Sequence, residues 1–373
     1  MKIPKCKQLP VRVLHICVIT LLSALMSNTV LYSFTSILAF KSSVEKNDYQ
    51  ISDLYSVVCD KSPVKHRSEH VVLVPVDGLN RARIVEVLEN INASSPKSVG
   101  IDIIFEFRND DDSALISTIT KCNSVLSAIR INDSTLRTSY FCYKHDSLGI
   151  GVANLEVNSP FEVVRTYRSQ YVVGEHDYNS FARGVVEASG IDITNTAETA
   201  YIYFPTLVFD TITPTMLDNH PDVCREQMRD RIVLVGDMRS IQDIHNTAIR
   251  PMSGLQIQAS IIETMIGDQH IRLTSKWIDW LIALISCVLL ILFNMIISER
   301  DFATAKLLFR LAQLLVLYLF FSVGCWLFSR HNLCVDFAPA LSMIALGLLA
   351  YDIWFGLVGL CKKIISKYKN TEP

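Results

Sequence analysis

Four long apolar stretches bracket a mostly polar middle. The first runs from Val13 to Phe40, where no Lys, Arg, Asp or Glu occurs, only a lone His15. The others are Trp277 to Ile297, Leu307 to Phe328 and Phe337 to Gly359. Each reaches the ~20 residues that a helix needs to cross a bilayer. The pattern predicts transmembrane helices at 13–40, 277–297, 307–328 and 337–359, with a module of its own held between the first two.

The first stretch has a rival reading as a cleaved signal peptide, because Lys2, Lys5, Lys7 and Arg12 form a basic leader. An apolar run of this length exceeds the usual ~7–15 residues of such a peptide, so an uncleaved anchor is expected. Basic residues also set the orientation. They precede the first span, and Lys362, Lys363, Lys367 and Lys369 follow the last. Arg300 and Lys306 fall between spans two and three, and Arg330 lies in the loop before span four. The expected topology is N-in, C-in, with cytoplasmic ends at 1–12 and 360–373 and residues 41–275 outside. No folded cytoplasmic domain is expected after the fourth span.

Within the external segment, residues 41–70 read as a polar stalk with one apolar patch at Leu54 to Val58. EHVVLVPVDG then forms a continuous apolar run, as expected of a strand buried on both faces. Arg83 to Asn92 carries helical spacing and stops before Pro96. KSVGIDIIF is a second buried strand, DDDSALISTITKC a helix with an acidic first turn, and SVLSAIR a third strand. This β-α-β-α-β order predicts an α/β fold with a mixed, largely parallel sheet. GIGVANLEVN and VVRTYRSQYVV read as an antiparallel pair turning at Asn158-Ser159-Pro160. Tyr178 to Ser189 reads as a helix, AYIYF as a strand and DRIVLVGDM as a late buried strand. GLQIQASIIETMI, Gly254 to Ile266, reads as an amphipathic helix leading almost directly into span two.

Composition removes some functions. A formal net charge of −2 without basic clusters argues against nucleic acid as a partner. Four of the ten cysteines (Cys59, Cys122, Cys142 and Cys224) lie in the external segment, which permits two disulfides in any of three pairings. No C-x-x-C spacing suggests zinc or redox chemistry, and Cys122 fits a buried thiol.

The order of these elements resembles the CHASE2 family of bacterial extracytoplasmic sensor domains. VVLVPVD, a helix, PKSVGIDIIF, an acidic helix start and SVLSAIR resemble its first half. GVANLEVNSPFEVVR is similar to the family's G-x-V-N-L segment followed by G-V-V-R. DRIVLVGDMRSIQDIHNTAIRPMSGLQIQASIIETMI resembles its I-V-L-I-G strand, D-x-H-x-T-P loop and G-V-E-I-H-A-N helix. The layout of one span before and three after also matches. The likeness covers nearly the whole chain, with two departures. The connection after the first strand is shortened to DGLNRARIVEVL, and Ala248 and Ile249 follow Thr247 where the family has Pro. The resemblance implies a sensor at 71–275 in the periplasm, anchored in the inner membrane. It would respond to a small-molecule or envelope stimulus and signal to a separate output protein. Family receptors dimerise, so a homodimer is a further expectation. No cofactor is expected.

Ligands of such sheets bind beyond the carboxyl ends of the strands. Asp77 closes the first strand, Asp237 the late one, and Asp102 sits inside the second strand's apolar run. A buried Asp needs a partner, and Arg83 or His245 is the expected one for Asp102. Asp243, His245 and Thr247 complete a candidate ligand group, with Asn154 as a further candidate. Each also has a plain structural reading as a cap or loop pin, evenly matched for Asp102 and favoured for Asp77 and Asn154. Asp243-x-His245 alone makes a poor metal site. No P-loop, G-x-G-x-x-G, G-x-S-x-G or HExxH motif occurs, so catalysis is not expected. Two alternatives to a sensor stand beside it: an assembly protein whose ectodomain binds an envelope partner, and an acid-lined Mg²⁺ phosphohydrolase. In the membrane, Arg310 and Asp352 form a candidate ion pair between spans three and four, against simple snorkelling of each.

Overall fold

The structure is a computed structural model that describes residues 5–41, 50–121, 123–142, 148–157, 162–193, 197–267, 269–298 and 303–369. The chain divides into two compact units, Asn47–Arg272 and a membrane unit of Met1–Lys46 with Leu273–Pro373. Cys122, the turn at Asn158-Ser159-Pro160 and Arg300 lie outside the described residues.

In chain order the elements begin with the long helix α1 (Lys5–Lys41) of the membrane unit. The folded unit then runs α2 (Ile51–Asp60), β1 (His66–Pro75), α3 (Arg81–Asn92), β2 (Ser98–Asp102), α4 (Asp112–Ile119) and β3 (Ser124–Asn132). The next elements are β4 (Thr135–Arg137), β5 (Gly149–Val152), β6 (Thr166–Arg168), β7 (Gln170–Val173), β8 (His176–Asn179) and α5 (Phe181–Ala188). Then come β9 (Thr199–Tyr201), β10 (Leu207–Thr211), α6 (Pro214–Asn219), α7 (Pro221–Met228), β11 (Ile232–Gly236) and α8 (Gly254–Ile266). The seven-stranded main sheet has the order β10-β1-β11-β2-β3-β4, with β5 also on β3. Its pairings are parallel apart from the short β3–β4 hairpin.

The unbroken apolar runs of β1 and β11 follow from burial on both faces. Val72, Val74, Val233 and Val235 pack under α3, α4, α6 and α7. Val71, Leu73, Ile232 and Leu234 point the other way, under α5 and α8. Each such side chain, fully withdrawn from water, contributes roughly 1.5–3 kcal/mol. Glycine is required at Gly100 of β2, where a Cβ would meet Leu234 Cδ2 at 2.6 Å and Phe181 Cζ at 2.9 Å. Capping fixes the helix starts. Asn80 accepts the Arg83 N–H, Ser180 that of Arg183, and Ser253 closes a capping box with Gln256 at α8.

Three expectations are corrected. Residues 50–70 are no stalk: α2 is built into the unit, with Tyr55 fully buried, and the strand already begins at His66. A bidentate pair holds it, Arg165 donating to Asp53 through Nε (3.0 Å) and Nη2 (2.7 Å), both groups buried. The proposed antiparallel pair also fails. β5 lies parallel to β3, β7 pairs with β8, and β6 with β9. The apolar GIGV run extends the parallel sheet, with Gly151 and Val152 buried, rather than forming half of a hairpin. Tyr178 belongs to β8, so α5 starts only after the Ser180 cap.

In the membrane unit, α9 (Lys276–Ser298), α10 (Ala303–His331) and α11 (Ala338–Lys369) join α1. All four helices are long and apolar enough to cross a membrane. Ile19 of α1 packs with Ala283, Cys287 and Ile291 of α9 and with Ala340 and Met343 of α11. Polar groups bind across the helices where lipid offers no partner. Ser27 bonds Ser342, Trp354 Nε1 donates to His15 Nδ1 at 2.8 Å, and buried Gln313 donates to the Ile344 carbonyl at 2.7 Å. The expected Arg310–Asp352 pair is absent. Both side chains are exposed, and among the described residues Arg310 reaches Gln313, at 3.5 Å. A long charged side chain near a helix end can instead extend toward the membrane–water interface.

Candidate functional site

Register brings three carboxylates to one edge. Pro75, Gly236 and Asp102 stand side by side at the ends of β1, β11 and β2. Asp77 and Asp237 follow one or two residues later, so the carboxyl ends of three neighbouring strands are acid-lined. The helix after β1 lies on one face and that after β11 on the other, and a sheet opens a crevice where such connections diverge.

Asp102 is the group most altered by this placement. Withdrawal from water raises its pKa to about 6, the nearby Asp243 carboxylate adds to the rise, and a hydrogen bond with Ser127 of β3 opposes it. Ser127 is buried. The expected partners do not reach Asp102. Arg83 is engaged with Glu86 and Asp218 on the outer surface of α3, and His245 Nε2 lies 3.6 Å from Asp243 Oδ1.

Asp243 ends a short 3-10 turn, Ile241–Asp243, and Ile244–His245 pairs with Met252–Ser253. This ladder carries Asp243 to the start of α8, where Oδ2 accepts the Gly254 N–H at 3.0 Å. The helix terminus supplies unpaired donors and partial positive charge, and the carboxylate satisfies one of them. A Cβ on Gly254 would lie 2.5 Å from Asp243 Oδ1, so glycine is what permits the approach.

The remaining candidates hold the frame. Asp77 Oδ1 accepts from the Met238 (2.8 Å) and Arg239 (2.6 Å) amides, tying the loop after β11 to β1. Asn154 accepts the Arg130 N–H and donates to its carbonyl, prolonging the β3–β5 edge. Thr247 is buried and donates to the Arg250 carbonyl at 2.5 Å, closing a turn. The structure therefore gathers Asp102, Asp243 and His245 at the N-terminus of α8, with Asp77 one loop away. Arg83, Asn154 and Thr247 stand apart from that group. Among the described residues no three His, Cys, Asp or Glu side chains form a group able to hold a metal ion.

Two members were not foreseen from sequence. Ser127 lies within an apolar strand and gives no signal, whereas the Ser253–Gln256 spacing does mark the start of α8. Among the described residues, Cys142 and Cys224 are buried thiols outside any disulfide.

The family model described as CHASE2 domain matches residues 21–294, from within α1 to within α9. The chain belongs to the CHASE2 domain family. CHASE2 is a family of extracytoplasmic sensor domains, and the four apolar helices make this member a membrane protein. No curated protein and no solved structure matches the chain.

Proposed function

We propose that this CHASE2 protein is a sensor of the bacterial inner membrane. Its α/β domain lies in the periplasm, and both chain ends lie in the cytoplasm, in accord with the basic residues that flank the first and last spans. The stimulus acts at the carboxyl edge of the sheet, on the group formed by Asp102, Asp243 and His245. The observation that carries this reading is the attachment of that group to the first amide of α8 through Asp243. The last residue of α8 is Ile266 and α9 begins at Lys276, so a shift of this helix is delivered to the second span over a short connection. Signal output goes to a partner in or under the membrane, for which exposed Arg310 and Asp352 are polar contact points.

The full-length protein in lipid nanodiscs, screened for thermal stabilisation by metabolites and metal ions, tests the proposal. A stabilising ligand whose effect is lost in Asp102→Ala and His245→Ala supports it. A folded protein stabilised by nothing in the screen, but retaining an envelope protein in pull-downs, favours a constitutive assembly role. Phe107 (76% exposed) and Ile241 (90% exposed), on the loops after β2 and β11, are the observation on the side of that second reading.

A further inference from the structure

A concavity lies where the loop after β2 meets the first turn of α4 and Tyr140-Phe141. It is a cleft of about 630 Å³ lined by Arg108, Asn109, Asp110, Asp112, Ser113, Ile116, Tyr140 and Phe141. None of the residues grouped around Asp102 contributes to it. Its volume falls within the ~300–1,000 Å³ typical of small-molecule sites.

The wall divides by chemistry. Phe141, buried against Phe105, and Ile116, packed on the core beneath α4, form an apolar side. Asp112 is held rigidly, accepting from Tyr140 Oη, Arg81 and the Asn109 amide. Those bonds keep its carboxyl below the usual range despite burial, so it stays charged. Exposed Asp110 adds a second negative group at the mouth. Arg108 is the opposing pole. It is exposed, close enough to Tyr140 to act on it electrostatically, and makes no ion pair among the described residues. Beside it, Ser113 stands in the first turn of α4, whose Asp111 makes no side-chain cap bond. First-turn amides have no intrahelical acceptor.

A cationic pole with free donors, an anionic pole and an apolar wall in one cleft match a ligand carrying both charges. We infer that this cleft binds a small zwitterion of the amino-acid type. Arg108 and the Ser113 amide take its carboxylate, Asp110 takes its ammonium at a wall kept negative by Asp112, and Ile116 and Phe141 take an apolar side chain. A plain anion would meet two carboxylates, and a plain cation would meet Arg108, so neither satisfies both poles. The site is additional to the group at the end of β2 and is read by binding alone, whether or not the protein signals.

The test is calorimetric titration of the full-length protein in nanodiscs with L-leucine, L-leucinamide and N-acetyl-L-leucine. The amide lacks the carboxylate, and the acetyl derivative lacks the ammonium. L-leucine is expected to bind, with each analogue weaker by roughly tenfold or more, as the loss of one charge-assisted contact implies. Arg108→Ala weakens L-leucine to the level of the amide and leaves the amide unchanged. Asp110→Asn reduces the preference for L-leucine over the acetyl derivative. Both positions are exposed, so the fold is retained. No binding of L-leucine up to about 10 mM overturns the inference. So does equal binding of all three compounds, or insensitivity to both substitutions.

Discussion

Asp102 ends β2 within the field of Asp243, and the Asp243 carboxylate is fixed to the first amide of α8. The two acids therefore repel across the root of the helix that leads to the second span. Because the folded-state pKa of Asp102 is raised from 3.8 to about 6, ionisation of this group opposes folding. Stability is full below about pH 4 and is lost as the pH rises through about 6, by up to about 3 kcal/mol. Asp102→Asn should raise the melting temperature at pH 7.5, with the gain shrinking toward pH 4. A variant less stable than wild type at pH 7.5 contradicts this.

The Arg165–Asp53 fork ties α2, just after the first span, to the strand leading into β6. Removing one member strands a buried charge. Asp53→Ala or Arg165→Ala should each cost about 3–5 kcal/mol. Asp53→Leu with Arg165→Met should recover most of that loss in a double-mutant cycle. Additive losses in the double variant count against the pair.

Much of this fold was legible because its signals are local. Continuous apolar runs gave β1 and β11, and the amphipathic pattern placed α8 at Gly254 to Ile266. The misreadings came from long-range pairing. GIGV carries no mark that its partner is β3, more than twenty residues earlier, rather than the β-prone segment that follows. LVFDT, the edge strand β10, is too short and too exposed for periodicity to reveal. In the site, Asp77, Asp102 and Asp237 were readable from their places within or at the ends of apolar runs. The Asp102 partner was not, since Ser127 sits in an apolar strand and only register brings it alongside. Arg83 was expected as the charge partner of Asp102, but the N-terminal turn of α3 directs it to Asp218.

Gly254→Ala should destabilise the protein by roughly 1–3 kcal/mol, because its methyl group must displace Asp243. The melting temperature reads the loss. A neutral substitution shows that the Asp243 contact with α8 is not held as described.

In the membrane unit, polar contacts rather than charges join α10 to α11. Gln313→Leu should cost about 0.6–1.7 kcal/mol through loss of its bond to the Ile344 carbonyl. Arg310→Ala and Asp352→Ala should be additive. Their combined effect in detergent unfolding tests this, and a coupling above about 0.5 kcal/mol revives a direct ion pair.

Burial pushes the Cys142 thiol up to about 11 and raises that of Cys224. Both should resist iodoacetamide at pH 8 in the folded protein and react once it is denatured. Mass spectrometry of the labelled peptides decides the matter, and modification of either in the native state argues against their burial.

The central claim is that the carboxyl edge of the sheet governs α8. Its most direct test is hydrogen exchange along Gly254–Ile266 in full-length wild type and Asp102→Asn at pH 7.5. Exchange through α8 should be slower in the variant, since the repulsion beneath its first turn is gone. A change confined to β2 and β3, with α8 exchanging as in wild type, contradicts it.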